Sequence, residues 1–469
     1  MDTQHLSQFV TRAWEADILP SLSEYIRIPN KSPAFEPEWD SLPHMRDAAE
    51  LLARWVGRCR VRGLTHRIVT LPGRTPLLYA EVAPSGTSAR TVLMYGHYDK
   101  QPEFDGWNDG LGPWQPVMRD GKLYGRGGAD DGYALFASLT AIAALQAQGV
   151  PHPRCVLLIE GCEESGSYDL PHYMEALASD TGKPDLVVCL DAECGNYDQL
   201  WLTTSLRGAV GGLLTVQVLT EGVHSGAAGG IVPSSFRILR ALLERLENAE
   251  TGASAAPLNV EIPDQVRREA AAVAETLGDL STSRFPWAGR THAGEVNPAE
   301  LVLANTWQPS LAVVGLGGAP PVAEAGNTLR PATMAKLVFR LPPTLDAQTA
   351  AHTIKDILED SPPHGAEVSF EIEHPMGGWH SPPRAPWLEA ALDEASQAYF
   401  GRPMMTMGTG GTIPFMKMLG ERYRDVQFAV TGVLGPRSNA HGPNEFLHID
   451  CAKRVTACIA HLLGACAKV

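Results

Sequence analysis

Thr91-Val92-Leu93-Met94-Tyr95-Gly96-His97-Tyr98-Asp99 is the stretch on which the reading of the fold turns. Its apolar run, Thr91 to Tyr95, lacks the polar alternation of a half-exposed strand, so it reads as a strand covered on both faces. The run stops at a glycine, and two residue types able to do chemistry follow at once. The same arrangement recurs downstream. Cys155-Val156-Leu157-Leu158-Ile159 leads into Glu160-Gly161-Cys162-Glu163-Glu164-Ser165-Gly166, and Leu186-Val187-Val188-Cys189-Leu190 leads into Asp191-Ala192-Glu193. Between the first two runs, residues 133–148 read as an apolar helix. Short apolar strands alternating with helices, up to about residue 205, predict a parallel sheet with crossover helices. Ligands of such sheets gather beyond the carboxyl ends of the strands, so the polar clusters are expected to converge there.

Outward from this core the pattern changes. After Arg207-Gly208 a half-exposed strand is expected over 213–219, a helix over 234–246 and a charged helical stretch near 263–280. A strand over 336–341, a helix over 345–359 and a strand over 367–373 follow. Near Pro382-Pro383 the chain returns to the first pattern, with a helix over 387–399, a strand over 426–430 and a helix from 450. At 469 residues the chain exceeds the size at which one core keeps growing. The expectation is therefore an α/β protein of two domains. The larger, mostly parallel-sheet domain spans 1–206 and 381–469, and a smaller α+β domain spanning 207–380 is inserted into it.

Composition excludes several function classes. Hydrophobic residues make up 44% and charged residues 19% of the chain, as in folded globular proteins. A formal net charge of −15 argues against a nucleic-acid partner, whose phosphates call for clustered Lys and Arg. Met1-Asp2-Thr3-Gln4-His5 has no basic n-region, and no apolar run approaches the roughly 20 residues of a membrane span. The eight cysteines include no CxxC pair and fit reduced thiols. A cytoplasmic protein is expected.

Five segments carry candidate chemistry: Gly96–Asp99, Gly125–Gly132 with its Asp130-Asp131 pair, Glu160–Gly166, Leu190–Glu193, and Asn439–Glu445 around His441. Singly, each reads as an ion pair, a solvated doublet or a turn. Together they supply imidazoles and carboxylates without a thiolate pair, a donor set suited to Zn²⁺, Mn²⁺ or Co²⁺. Two ions about 3.5–4 Å apart need a bridging carboxylate and further ligands. A separate carboxylate must then act as base, beside a ligand without being one. The Glu163-Glu164 doublet offers both roles. Cys162 and Cys194 are expected to be buried neutral thiols, and Gly125-Arg126-Gly127-Gly128 lacks the Lys-Ser/Thr of a phosphate-binding loop.

In this order the motifs resemble the M20 metallopeptidases, particularly the carnosinase-like and cytosolic nonspecific dipeptidase branch, over nearly the whole chain. The resemblance implies two divalent ions, zinc first and manganese or cobalt otherwise, held by His97, Asp130, Glu164, Asp191 and His441. Asp130 would bridge them, Asp99 would orient His97, and Glu163 would be the general base that activates water. Glu193 rivals Asp191, but strand geometry and the family register favour Asp191. In the inserted domain, His224 resembles a histidine that reaches a neighbouring subunit's site and stabilises the oxyanion. Asn327, Arg340 and Thr412 are similar to substrate-binding residues, with Arg340 pairing an α-carboxylate. The inserted domain would then be a lid and a homodimer interface, and the substrate a dipeptide or small peptide with a free C-terminal carboxylate. On the same scaffold stand an N-acyl-amino-acid amidohydrolase or a carboxypeptidase, and further off a catalytically silent binding protein. Gly132-Tyr133 after the Asp pair, and Ala192-Glu193-Cys194-Gly195-Asn196-Tyr197 after Asp191, depart from the family pattern and bear on the substrate.

Overall fold

The computed structural model describes residues 1–294 and 297–469. The first half of the chain forms strands β1 (Leu64–Val69), β2 (Leu77–Val82), β3 (Thr91–His97), β4 (Arg154–Glu160) and β5 (Leu186–Cys189). All of β3 after Thr91 is buried, as its unbroken apolar sequence requires. The helix Tyr133–Ala147 is buried around nearly its whole circumference, packed between the sheet and the C-terminal helix Ile449–Cys466.

Past residue 206 the chain enters a second, four-stranded sheet: β6 (Gly208–Gln217), β7 (Ser310–Gly317), β8 (Ala332–Leu341) and β9 (Glu367–Met376). Its order is β7-β8-β6-β9 and every pairing is antiparallel. Strict alternation of buried and half-exposed residues along β8 leaves one covered face, on which the helices Ser235–Leu243 and Ala347–Glu359 build a separate apolar core. The chain then returns to the first sheet as β10 (Gln427–Val430), giving the order β1-β2-β4-β3-β5-β10. The pairs β4–β3, β3–β5 and β5–β10 are parallel, and β1–β2 and β2–β4 antiparallel. The fold is thus mixed α/β with a mostly parallel central sheet.

Several sequence expectations shift. Strand β6 begins at Gly208 and not at 213, because its first residues pair with Phe339–Leu341 of β8. The edge strand β7 was not anticipated: Ser-Leu-Ala-Val-Val-Gly-Leu-Gly shows no alternation, and its pairing is broken by a bulge between Val313 and Gly315. The helices Asp264–Leu277 and Pro298–Thr306 do not cover the second sheet. Val273 of the first packs with Trp201, Cys194 and Met407, beside a three-stranded sheet made of Trp379–His380, Trp201–Leu206 and Met405–Thr409. All eight cysteines are free and all but Cys59 are buried. Among the described residues no helix is long and apolar enough to cross a membrane.

Leu463 lies fully buried in the main core on the C-terminal helix. Leu463→Ala is expected to cost about 2–5 kcal/mol, the range for a buried leucine truncation, read as a lowered denaturant midpoint.

Candidate metal centre

Three neighbouring parallel strands end side by side, β4, β3 and β5, and their carboxyl ends deliver Glu163-Glu164, His97 and Asp191 to one place. Asp130 comes from the turn before the helix Tyr133–Ala147. That turn can approach β3 because residue 96 is glycine: a Cβ there would stand 2.8 Å from both Ala134 Cβ and Asp131 Oδ2. His441 is brought in by a loop between β10 and the C-terminal helix and takes a left-handed backbone, φ 65°.

The side chains meet on one carboxylate. His97 Nε2 lies 3.1 Å from Asp130 Oδ1 and 3.8 Å from Asp191 Oδ2. His441 Nε2 lies 3.0 Å from Asp130 Oδ2 and 3.2 Å from Glu164 Oε2. Donor atoms of His97, Asp130 and Asp191 fall within 4.8 Å of one another, and so do those of Asp130, Glu164 and His441. Two three-donor groups therefore share Asp130, one oxygen facing each imidazole. Both have the nitrogen and oxygen donors that suit a divalent transition metal. Among the described residues Glu163 belongs to neither group, and Glu193 lies outside both.

A layer of buried hydrogen bonds holds these groups. Asp99 is fully buried; its two carboxylate oxygens accept the backbone N–H groups of Glu163 and Glu164 at 3.1 and 2.9 Å. The same carboxylate stands 3.4 Å from His97 Nδ1, and the Asp99 carbonyl is 3.1 Å from that nitrogen. Gln101 Nε2 donates to Glu164 Oε2 at 2.5 Å. The Tyr133 hydroxyl donates to the Leu190 carbonyl at 2.6 Å, steadying the residue before Asp191. Lys100, fully buried, donates to the carbonyls of Tyr25 and Ile28, and its stem fills the space that a side chain at Gly127, φ 80°, would need.

Sequence reasoning passed over one further pair. Arg126 Nη1 donates to Glu445 Oε2 at 2.6 Å, with both side chains essentially inaccessible. Arg126 Nη2 also donates to the Gly442 carbonyl, and Glu445 Oε1 accepts from Gly127 N–H at 2.9 Å. The pair thus clamps the Asp130 turn to the His441 loop. Its only signal in the sequence was that Arg126 and Glu445 both sit inside segments already singled out.

The remaining predicted residues group elsewhere. His224 and Thr328 face each other in a two-residue ladder, and the Asn327 carbonyl accepts from Ser225 N–H, so His224 and Asn327 are neighbours. Among the described residues neither side chain touches the metal-centre groups. Arg340 Nη1 donates to Thr412 Oγ1 at 3.1 Å, and that hydroxyl donates to the Arg207 carbonyl at 2.6 Å.

So many buried carboxylates repel one another. Burial, with neighbouring carboxylates, pushes Glu164 up to about 8 and Asp191 up to about 6, and raises Glu163 well above the usual range. Burial opposes protonation of His441, but Asp130 and Glu164 outweigh it and raise the imidazole to about 9. His97 is raised in the same way by Asp130 and Asp99. Burial alone would raise Asp130, yet its bonds to His441 and His97 carry it below its ordinary value.

Paired triads on a shared aspartate, set at the strand ends of a mixed α/β sheet, make a candidate two-metal centre. The chain belongs to peptidase family M20/M25/M40, whose profile matches residues 93–465, and this family match makes the chain a metal-dependent hydrolase. It is 26% identical over 430 residues to the cysteinylglycine-S-conjugate dipeptidase of Corynebacterium striatum, covering 88% of this chain and 90% of that one. It is 26% identical over 366 residues to the human Beta-Ala-His dipeptidase, covering 74% of this chain and 69% of that one. The structure of the di-peptidase Dug1p from Saccharomyces cerevisiae superposes with a TM-score of 0.79 at 20% identity, covering 100% of this chain and 99% of that one.

The raised groups make stability depend on pH in the metal-free protein. His441, Glu164 and Asp191 all hold protons in the folded state at pH values where their unfolded counterparts release them. The folded state therefore binds more protons, and stability falls as pH rises. For Asp191 the loss runs from its ordinary 3.8 to about 6, for Glu164 from 4.5 to about 8, and for His441 from 6.5 to about 9. Asp130, whose shift has the opposite sign, contributes its stability already below this window. Chelator-treated protein is expected to melt lower at pH 8.5 than at pH 6, and added Zn²⁺ to restore more at pH 8.5, as read by thermal denaturation.

Proposed function

We propose that the chain hydrolyses the amide bond of dipeptides or small peptides bearing a free C-terminal carboxylate, with two divalent ions and Glu163 as general base. The observation that carries this reading is the pair of three-donor groups joined on Asp130, with the Glu163 carboxylate beside them and in neither. The residues fit the ions: His97 and Asp191 would hold one, Glu164 and His441 the other, and Asp130 both. When bound, two such ions supply Lewis-acid activation of an amide carbonyl and of water. Zinc, manganese and cobalt all accept this donor set.

The chain's own groups account for the remaining steps. Glu163 takes the proton of the attacking water and delivers it to the leaving nitrogen, breaking the C–N bond as the amine departs. Its backbone is tied down by Asp99, so the carboxylate is held in place between the two transfers. Arg340, with Thr412 hydrogen-bonded to it, receives the substrate's C-terminal carboxylate through its planar fork. Dipeptidase names among the relatives support this choice of substrate.

His224 acts on a partner subunit's site, stabilising the oxyanion there, and Asn327 binds substrate, with residues 207–380 as lid and dimer interface and residues 1–206 and 381–469 as catalytic domain. Two features support a homodimer. His224 is exposed and makes no contact with its own metal-centre groups among the described residues. The edge strand β7 leaves Val313, Val314 and Leu316 at 45, 60 and 70% exposure, an apolar edge suited to a second copy. Eight unpaired cysteines support a reducing, cytoplasmic compartment.

Glu163→Gln is expected to keep its metal content and lose about 10²–10⁴-fold in kcat on unblocked dipeptides; near-normal turnover would remove Glu163 from the role of base. Mixing the inactive Glu163→Gln and His224→Ala proteins, with subunit exchange, is expected to restore about one quarter of wild-type activity, since a mixed dimer holds one intact composite site. Absence of any recovery, with mixed dimers demonstrated, would place His224 outside the partner's site.

A further inference from the structure

Between the loops that follow Asp191 and precede His441 and the helices Asp264–Leu277 and Pro298–Thr306 lies a cavity of about 490 Å³ that the reading above leaves without a role. One wall belongs to the ligand-bearing loops: Glu193 follows Asp191 by two residues, and Asn439 and Ala440 immediately precede His441. A second edge is formed by Asn305 and Gly408. These approach the carboxylate-clamp region, because Arg207, whose carbonyl holds Thr412, donates to the Gly410 carbonyl at 3.3 Å. The far wall is apolar, with Val273 and Leu277 from one helix, Val302 from another, and Met407. The cavity thus runs from the metal-ligand loops into an apolar recess.

Glu193 is the sole carboxylate lining it among the described residues. Its side chain is 44% exposed, and its nearest cation, Arg284 Nη1, stands 4.0 Å away, too far for a hydrogen bond. The carboxylate accepts no side-chain or backbone hydrogen bond among the described residues. It faces the cavity with its acceptor capacity open, and a charged group in that condition calls for a donor.

We propose that this cavity receives the amine-side residue of an unblocked peptide, with Glu193 accepting the substrate's α-ammonium and the apolar recess taking a large apolar side chain; the assignment rests on the hydrolase reading above. The order of chemistry along the cavity selects this ligand. An unblocked residue carries its positive charge next to the scissile carbonyl and its apolar bulk beyond. An N-acyl chain would leave Glu193 unpaired, and a lysine side chain would carry its charge into the apolar wall. A free ammonium displaces Arg284, whose guanidinium then rests on the Phe285 ring, 4.9 Å from it already.

The test is steady-state kinetics of the metal-loaded enzyme on Leu-Gly, Gly-Gly, Glu-Gly and N-acetyl-Leu-Gly, for the wild type, Glu193→Gln and Glu193→Asp. The wild type is expected to favour Leu-Gly in kcat/KM over the other three. Glu193→Gln is expected to raise KM for Leu-Gly by about tenfold or more, the loss of one charge-assisted hydrogen bond, with kcat falling far less. Glu193→Asp, which keeps the charge, is expected to recover part of that loss, and metal content to be equal in all three proteins. An unmoved KM in Glu193→Gln, or a wild-type preference for Glu-Gly or for N-acetyl-Leu-Gly, overturns the assignment while leaving the metal-dependent hydrolase in place. Failure of the wild type to cleave any of the four removes both.

Discussion

Two imidazoles from opposite ends of the sequence share one buried carboxylate, and the architecture around the site is built to make that contact possible. Asp130 reaches His97 through one oxygen and His441 through the other, at 3.1 and 3.0 Å. Bare, this group is electrostatically costly: Asp130, Asp131, Glu163, Glu164 and Asp191 lie close together, shielded from water, with two histidines to offset them. Like charges at this spacing push proton affinities upward, as they do for Glu164 and Asp191. A cluster of this kind is stable when positive charge enters it, which is why the chemistry of the donor set and the energetics of the fold point to the same divalent ions.

The scaffold meets that cost through connections that hold each loop separately. Parallel strands β4, β3 and β5 fix three of the loops by main-chain pairing alone. Asp99 then links the His97 turn to the Glu163-Glu164 turn through two backbone N–H groups, and the Arg126–Glu445 pair links the Asp130 turn to the His441 loop. A buried ion pair adds little net stability over an apolar pair of equal shape, but it is demanding about geometry. Here it spans 319 positions of sequence and sets where His441 can stand. Tyr133 does the same for Asp191 with a neutral hydroxyl bonded to the Leu190 carbonyl.

Where the sequence was legible, the reason is local. The apolar runs ending at Tyr95, Ile159 and Leu190 are short, unbroken and bounded by glycine or by charge, so strand type and burial followed from composition within a few residues. The helix from Tyr133 was legible for the same reason, being apolar all round. Strand β7 was not, because its glycines and bulge erase the period by which a strand is recognised. The helices Asp264–Leu277 and Pro298–Thr306 were legible as helices but not in their placement, since an amphipathic face states that it needs a partner and not which one. Their docking beside Trp201 and Met407 is what opens the cavity next to Glu193.

By itself, then, the sequence determined the kinds of groups available and their order: which residues can donate nitrogen or oxygen, where strands stop, and that Glu163 and Glu164 stand adjacent with room for two roles. These are properties of single residues and of neighbours along the chain. Asp191 was already favoured over Glu193 as the ligand, but only the tertiary structure decided that Glu193 faces a cavity, that Arg126 and Glu445 clamp the two loops, and that Arg340 meets Thr412. Each of those outcomes is a distance between segments far apart in sequence, set by how helices and sheets pack on one another, and no local pattern encodes a distance of that kind.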